Sequence, residues 1–138
     1  MKKYIFSLIA VLALGLFYGC DQSDQASTDE IKIGVILGFT GPIESLTPTM
    51  ASSAELAMKE VSDSGLLLGG AKVSSVRADS TCVDAGAATS AAERLVTSDN
   101  VAAIMGADCS GVTTAIANNV AVPNGVTIIS PSATSPAL

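Results

Sequence analysis

Apolar and polar positions along the chain change period several times, and each change marks an element. Ile31–Leu37 is an apolar, β-branched run followed by Gly38, the pattern of a strand buried on both faces. Thr40-Gly41-Pro42 is a turn signal. From about Pro48 to Val61 the residues Met50, Ala54, Ala57, Met58 and Val61 recur at helical spacing, and Ser64-Gly65 closes the element. Gly69-Gly70 marks a tight turn. Lys72–Asp79 then alternates as a second strand, with Val73 and Val76 as its apolar marks. A second helix is predicted from Asp84, a residue type suited to an N-cap, to Ser98, with Ala88, Ala91, Ala92, Leu95 and Val96 as its apolar stripe. Val101–Met105, closed by Gly106, reads as a third buried strand. Gly111–Val120 reads as a third helix with Ala115 and Ile116 facing inward; Pro123-Asn124-Gly125 breaks it, and Val126–Ile129 is the fourth strand.

The order β-α-β-α-β-α-β predicts an α/β fold, a parallel sheet with helices on both faces joined by right-handed crossovers. After the fourth strand the chain runs Ser135-Pro136-Ala137-Leu138 with no further strand or helix, so 31–138 is expected to be the N-terminal portion of a longer protein.

Ahead of the first strand the pattern has a different meaning. Lys2 and Lys3 precede an uncharged apolar run from Tyr4 to Phe17, followed by Gly19, Cys20 and a polar stretch. These are the parts of an export signal, and the run is short for a membrane span of roughly 20 apolar residues. Residues 20–30 are mostly Asp, Gln, Ser, Ala, Thr and Glu without periodicity and are predicted to be a flexible tether. The net charge is −6, and all thirteen acidic residues lie beyond the signal. A basic nucleic-acid-binding face is thereby excluded. Export implies an oxidising compartment, so Cys82 and Cys109 either form a disulfide or remain as two buried thiols.

In a parallel α/β sheet, ligands bind beyond the carboxyl ends of the strands near the point where strand order reverses. Hydroxyl and glycine residues fall at these ends: Thr40-Gly41, Ser80-Thr81-Cys82, Cys109-Ser110-Gly111 and Ser130-Pro131-Ser132-Ala133-Thr134. Ser110 and Gly111 open a helix, where free N–H groups and the helix dipole favour an anion such as a carboxylate. Ser132 and Thr134 could add oxygen or backbone donors. For Ser110 the alternative is plain helix capping. Catalysis is not predicted. Gly106–Thr113 imitates a phosphate loop, but Val112 stands where the lysine must be. The chain has no histidine to serve as a base or a zinc ligand, so no metal or cofactor is expected.

The residues also carry a family resemblance. Ile31-Lys-Ile-Gly-Val-Ile-Leu-Gly-Phe-Thr-Gly-Pro42 resembles the opening strand and loop of type I periplasmic binding proteins, above all those for branched-chain amino acids. Ile128-Ile-Ser-Pro-Ser-Ala-Thr-Ser-Pro-Ala-Leu138 resembles that family's signature after strand four. The resemblance implies two α/β lobes that close on a small zwitterion and an ABC permease in the inner membrane as partner. It implies that Ser110 binds the ligand carboxylate, that Ser132 offers a backbone carbonyl to the ammonium, and that Thr134 hydrogen-bonds the charged end. Leu46 is the nearest match to the family's pocket position after Gly41-Pro42. Cys82 and Cys109 match the family's lobe-one disulfide. Cys20 resembles the lipid-modified cysteine of bacterial lipoproteins, which makes 1–19 a lipoprotein signal and anchors the chain to the membrane on the periplasmic side. Asp21 resembles an inner-membrane retention signal. The same fold also serves as the ligand-sensing ectodomain of receptors, the alternative to a transport role.

Overall fold

The computed structural model describes residues 30–138. The export signal, Cys20 and the tether as far as residue 29 lie outside the described residues. The elements are β1 (Glu30–Leu37), α1 (Thr47–Ser64), a 3-10 turn (Leu67–Gly69), β2 (Lys72–Asp79), α2 (Ala85–Thr97), β3 (Ala103–Gly106), α3 (Ser110–Ile116), a π-helical turn (Ala117–Ala121) and β4 (Thr127–Ile129). Glu30, expected in the tether, is the first residue of β1 and sits opposite Lys72.

The sheet order is β2-β1-β3-β4 and every pairing is parallel. Side chains alternate along β1 and sort the core into two layers. Val35 and Leu37 point to one face, where they meet Ala51, Met50 and Met58 of α1. Ile36 points to the other, where with Ile104 it meets Ala88, Ala92 and Leu95 of α2 and Val112 and Ile116 of α3. Helices therefore cover both faces of the sheet, α1 on one and α2 and α3 on the other.

Local chemistry sets the element ends. Pro48 stands in the first turn of α1, where its missing N–H costs nothing, and Gly65 ends the helix at φ 66°, a left-handed cap. Asp84 caps α2, its Oδ1 accepting from the amides of Gly86 at 2.9 Å and Ala87 at 3.0 Å. Gly106 ends β3 at φ 129°, where a Cβ would lie 1.9 Å from the Ile36 carbonyl oxygen, so only glycine lets β3 approach β1 this closely.

Three sequence expectations are corrected. On α1 the buried residues are Thr47, Ala51 and Ser62; Met50 and Met58 of the predicted pattern pack half-buried against the core, whereas Ala57 and Val61 are exposed. The helix turns its small face to the sheet because Ser62 is satisfied there: its Oγ accepts from Val73 N at 2.8 Å and donates its one proton to Met58 O at 2.8 Å, with Val73 O the alternative acceptor at 3.2 Å. On α3 the buried residues are Val112, Thr113 and Ile116, with Ala115 only partly covered. The α-helical stretch also starts one residue earlier than predicted and gives way to the π turn after Ile116. Finally, Val101 is buried but precedes β3, its N–H going to Leu95 O rather than into the ladder. Among the described residues no helix is long and apolar enough to cross a membrane.

Candidate functional site

Because all four strands run the same way, their carboxyl ends share one edge. Successive strands step outward from β1 to β2 and then return to β3 and continue to β4, so the order reverses between β1 and β3. In sheets of this kind the loops on either side of such a point leave the crevice where ligands bind; here the loops leaving β1 and β3 are tied by Gly38 N donating to Asp108 Oδ2. Ser110 opens α3 at this edge, and the segment after β4 lies against it.

Ser110 is not the cap of its helix. Cys109 holds the N-cap position, in extended conformation and with no side-chain cap bond. The Ser110 Oγ instead accepts from the amides of Thr134 at 3.1 Å and Ser135 at 3.2 Å. A serine hydroxyl has two lone pairs and one proton. Both lone pairs are engaged, and the proton remains for a further acceptor. The first-turn amides of Ser110 and Gly111 likewise meet no protein acceptor among the described residues.

Ser132 and Thr134 are brought to Ser110, but their backbone donors are used within the edge. Ser132 N and Ala133 N donate to Ser130 Oγ at 3.3 and 2.8 Å, and Thr134 N donates to Ser110. The Ser132 hydroxyl donates to Asp108 O at 2.9 Å. The expectation that this loop offers free amides is thus corrected: its hydroxyls are close enough to satisfy them. What it can still offer a ligand is the Ser132 carbonyl and the Thr134 hydroxyl.

Cys82 and Cys109 form a disulfide across the ends of β2 and β3, with Cα atoms 5.2 Å apart. Thr81 and Cys82 both adopt positive φ, 56° and 69°, a conformation costly for residues with a Cβ. Asp79 shapes this loop. It accepts from the Thr40 hydroxyl at 2.6 Å and from Thr81 N at 2.8 Å, so it also ties the loop after β1 to the loop after β2. Burial pushes the Asp79 pKa up, but the hydrogen bonds from Thr40, Thr81 and Phe39 outweigh it and leave the carboxyl below its ordinary value. Leu46 stands just before α1 on the same edge; it is 61% exposed and belongs to neither core layer. Val112, at the lysine position of a phosphate loop, is buried in the core.

Asp108 escaped the sequence reading, and Ser80 was marked there only as a strand-end hydroxyl. Asp108 is only 4% exposed, and Ser80 is fully buried. Asp108 Oδ2 accepts from Gly38 N at 2.9 Å, and its Oδ1 accepts from Ser80 Oγ at 3.3 Å and Cys109 N at 3.1 Å. A carboxylate wedged between an apolar strand and a helix start was the available signal, since such a group must find donors. A hollow of about 240 Å³ lined by Glu55, Met58, Lys59, Ser62, Lys72 and Val73 lies elsewhere, between α1 and the beginning of β2. It holds none of the edge residues.

The chain is thus an α/β fold whose parallel sheet is covered on both faces and whose hydroxyl-bearing strand tips share one edge. The family model described as periplasmic binding protein matches residues 30–138, and the chain belongs to that family. Curated proteins that it resembles include Leu/Ile/Val-binding protein homologues. The Leu/Ile/Val-binding protein homolog 7 of Brucella abortus is 35% identical over 112 residues, covering 80% of this chain and 25% of the relative. The crystal structure of the branched-chain amino acid transporter substrate binding protein LivJ from Streptococcus pneumoniae, in complex with isoleucine, superposes with a TM-score of 0.70. It is 32% identical over 78% of this chain and 30% of that one. An ABC transporter substrate-binding protein from Desulfitobacterium hafniense in complex with Leu gives a TM-score of 0.65 at 29% identity, with 78% of this chain and 30% of that chain covered. The chain thus spans about a quarter to a third of the length of these relatives. By its family it works outside the cytoplasm.

Proposed function

We propose that this chain forms part of the first lobe of a substrate-binding protein that captures a branched-chain amino acid and delivers it to an ABC permease. The observation that carries the reading is the state of Ser110. Its proton and the two adjoining amides meet no acceptor among the described residues, and such a donor set suits a carboxylate. The Ser132 carbonyl suits an ammonium group, and the Thr134 hydroxyl suits either charged end. Leu46, apolar and exposed at the same edge, suits an aliphatic side chain. The greater length of the relatives supports a second lobe that closes over the ligand. Cys20 is the proposed lipid-attachment point and residues 20–29 the tether, which would keep the protein at the periplasmic face of the inner membrane beside its permease.

The test is calorimetric titration of the complete protein with leucine, isoleucine, valine and their carboxamides. Saturable binding of the acids, with the carboxamides bound at least about tenfold more weakly for want of the charge-assisted bond, is expected. No binding of any of the three acids overturns the reading. Labelling with radioactive palmitate, lost in Cys20→Ala, tests the anchor.

A further inference from the structure

We infer that Asp108 is a positioning residue for the ligand edge: its buried carboxylate fixes the start of α3 and thereby presents Ser110 to the solute. The inference rests on the reading of that edge as the binding site. Asp108 sits at the switch point itself, between β1 and β3. Its two oxygens collect donors from three strand ends: Gly38 N after β1, Ser80 Oγ after β2, and Cys109 N after β3. Its own carbonyl accepts from the Ser132 hydroxyl after β4. One residue therefore joins all four strand ends, and the peptide it anchors leads directly through Cys109 into Ser110. With 4% exposure and every bond directed into the protein, Asp108 does not itself touch a solute.

Packing alone does not account for a carboxylate in this place. Burying a charge is costly, and an apolar side chain of similar size commonly serves stability as well or better. What an apolar residue cannot do is hold two backbone N–H groups from different strands at set distances. Gly38 follows β1 and Cys109 follows β3, so this bridge holds the start of α3 against the end of β1. The other ties on Ser110 come from the Thr134 and Ser135 amides, which can meet its Oγ only if α3 begins where Asp108 places it.

The test is a double-mutant cycle on leucine binding in the complete protein, with Asp108→Ala, Ser110→Ala and the pair. Asp108→Ala is expected to weaken binding about tenfold on its own and less than about twofold in the Ser110→Ala background, because it acts through Ser110. Equal losses in both backgrounds, or no loss, overturn the inference. A second measurement needs no ligand: amide hydrogen exchange of Thr134 and Ser135, followed by NMR in the isosteric Asp108→Asn. Exchange at least about tenfold faster than in the parent is expected, since neither amide touches residue 108 and both report on where Ser110 stands. Unchanged exchange overturns the inference. If the parent protein binds no amino acid, the solute reading fails while the exchange result still decides the role of Asp108. Failure of both variants to fold would make Asp108 a stability residue and overturn the proposal.

Discussion

Ser110 shows how much a single side chain can be asked to do. Its oxygen orders the segment after β4 through the Thr134 and Ser135 amides while its proton stays available. Ser110→Ala in the complete protein is expected to weaken amino-acid binding by about 1–3 kcal/mol, the worth of a hydrogen bond to a charged group, as read by calorimetry. Asp79 makes a prediction about acid. Its folded-state pKa lies below the ordinary 3.8 because donated hydrogen bonds outweigh burial. A depressed carboxylate contributes stability that is complete above the unfolded pKa and lost as pH falls through the folded one. The melting temperature should therefore fall below about pH 4, and Asp79→Asn should remove part of that fall while lowering stability at neutral pH. Thermal unfolding across pH 2–7 checks both.

At the scale of elements, each helix is bounded by identifiable chemistry, and α2 gives the cleanest case. Asp84 receives two first-turn amides through one oxygen. Asp84→Ala is expected to cost about 1 kcal/mol, measured by chemical denaturation, whereas Asp84→Ser should cost much less. The fork between Arg77 and Glu55 links β2 to α1 but is partly exposed, at 44% and 31%, so its contribution to stability is small. The element that departed most from its pattern is α1. Of its apolar pattern Met50 and Met58 pack on the core, but Ala57 and Val61 are exposed and Ser62 turns inward, because a serine between two backbone partners is as well satisfied inside as an alanine. Periodicity counts apolar residues and has no way to register a polar side chain whose partner lies on another strand.

For the whole molecule, the loops of the edge are joined covalently as well as by hydrogen bonds. The Cys82–Cys109 bridge closes a loop of 27 residues. In the chain-entropy account a loop of that length stabilises the fold by about 3–4 kcal/mol. Reduction should lower the melting temperature of the complete protein accordingly, as seen by calorimetry with and without reductant. Because Thr81 and Cys82 are held at positive φ beside the bridge, the loop after β2 should lose protection from hydrogen exchange first.

The order of strands and helices was legible in the residue pattern, and from that order the gathering of hydroxyl-bearing tips at one edge. The reason is geometric: a strand followed by a helix and a parallel strand can return only in the same direction, so every carboxyl end falls on one side. The residue pattern also marked Ser110, Ser132, Thr134 and the two cysteines, whose signals are local or fall in short motifs. Which strands are neighbours, with β1 beside β3 where the order reverses, emerged from the folded sheet alone. The tertiary structure also decided that Asp108 would find Gly38, 70 residues away, and Ser80, 28 residues away. Those partners are chosen by packing across the sheet, a long-range balance of burial and hydrogen bonding that no window of sequence contains.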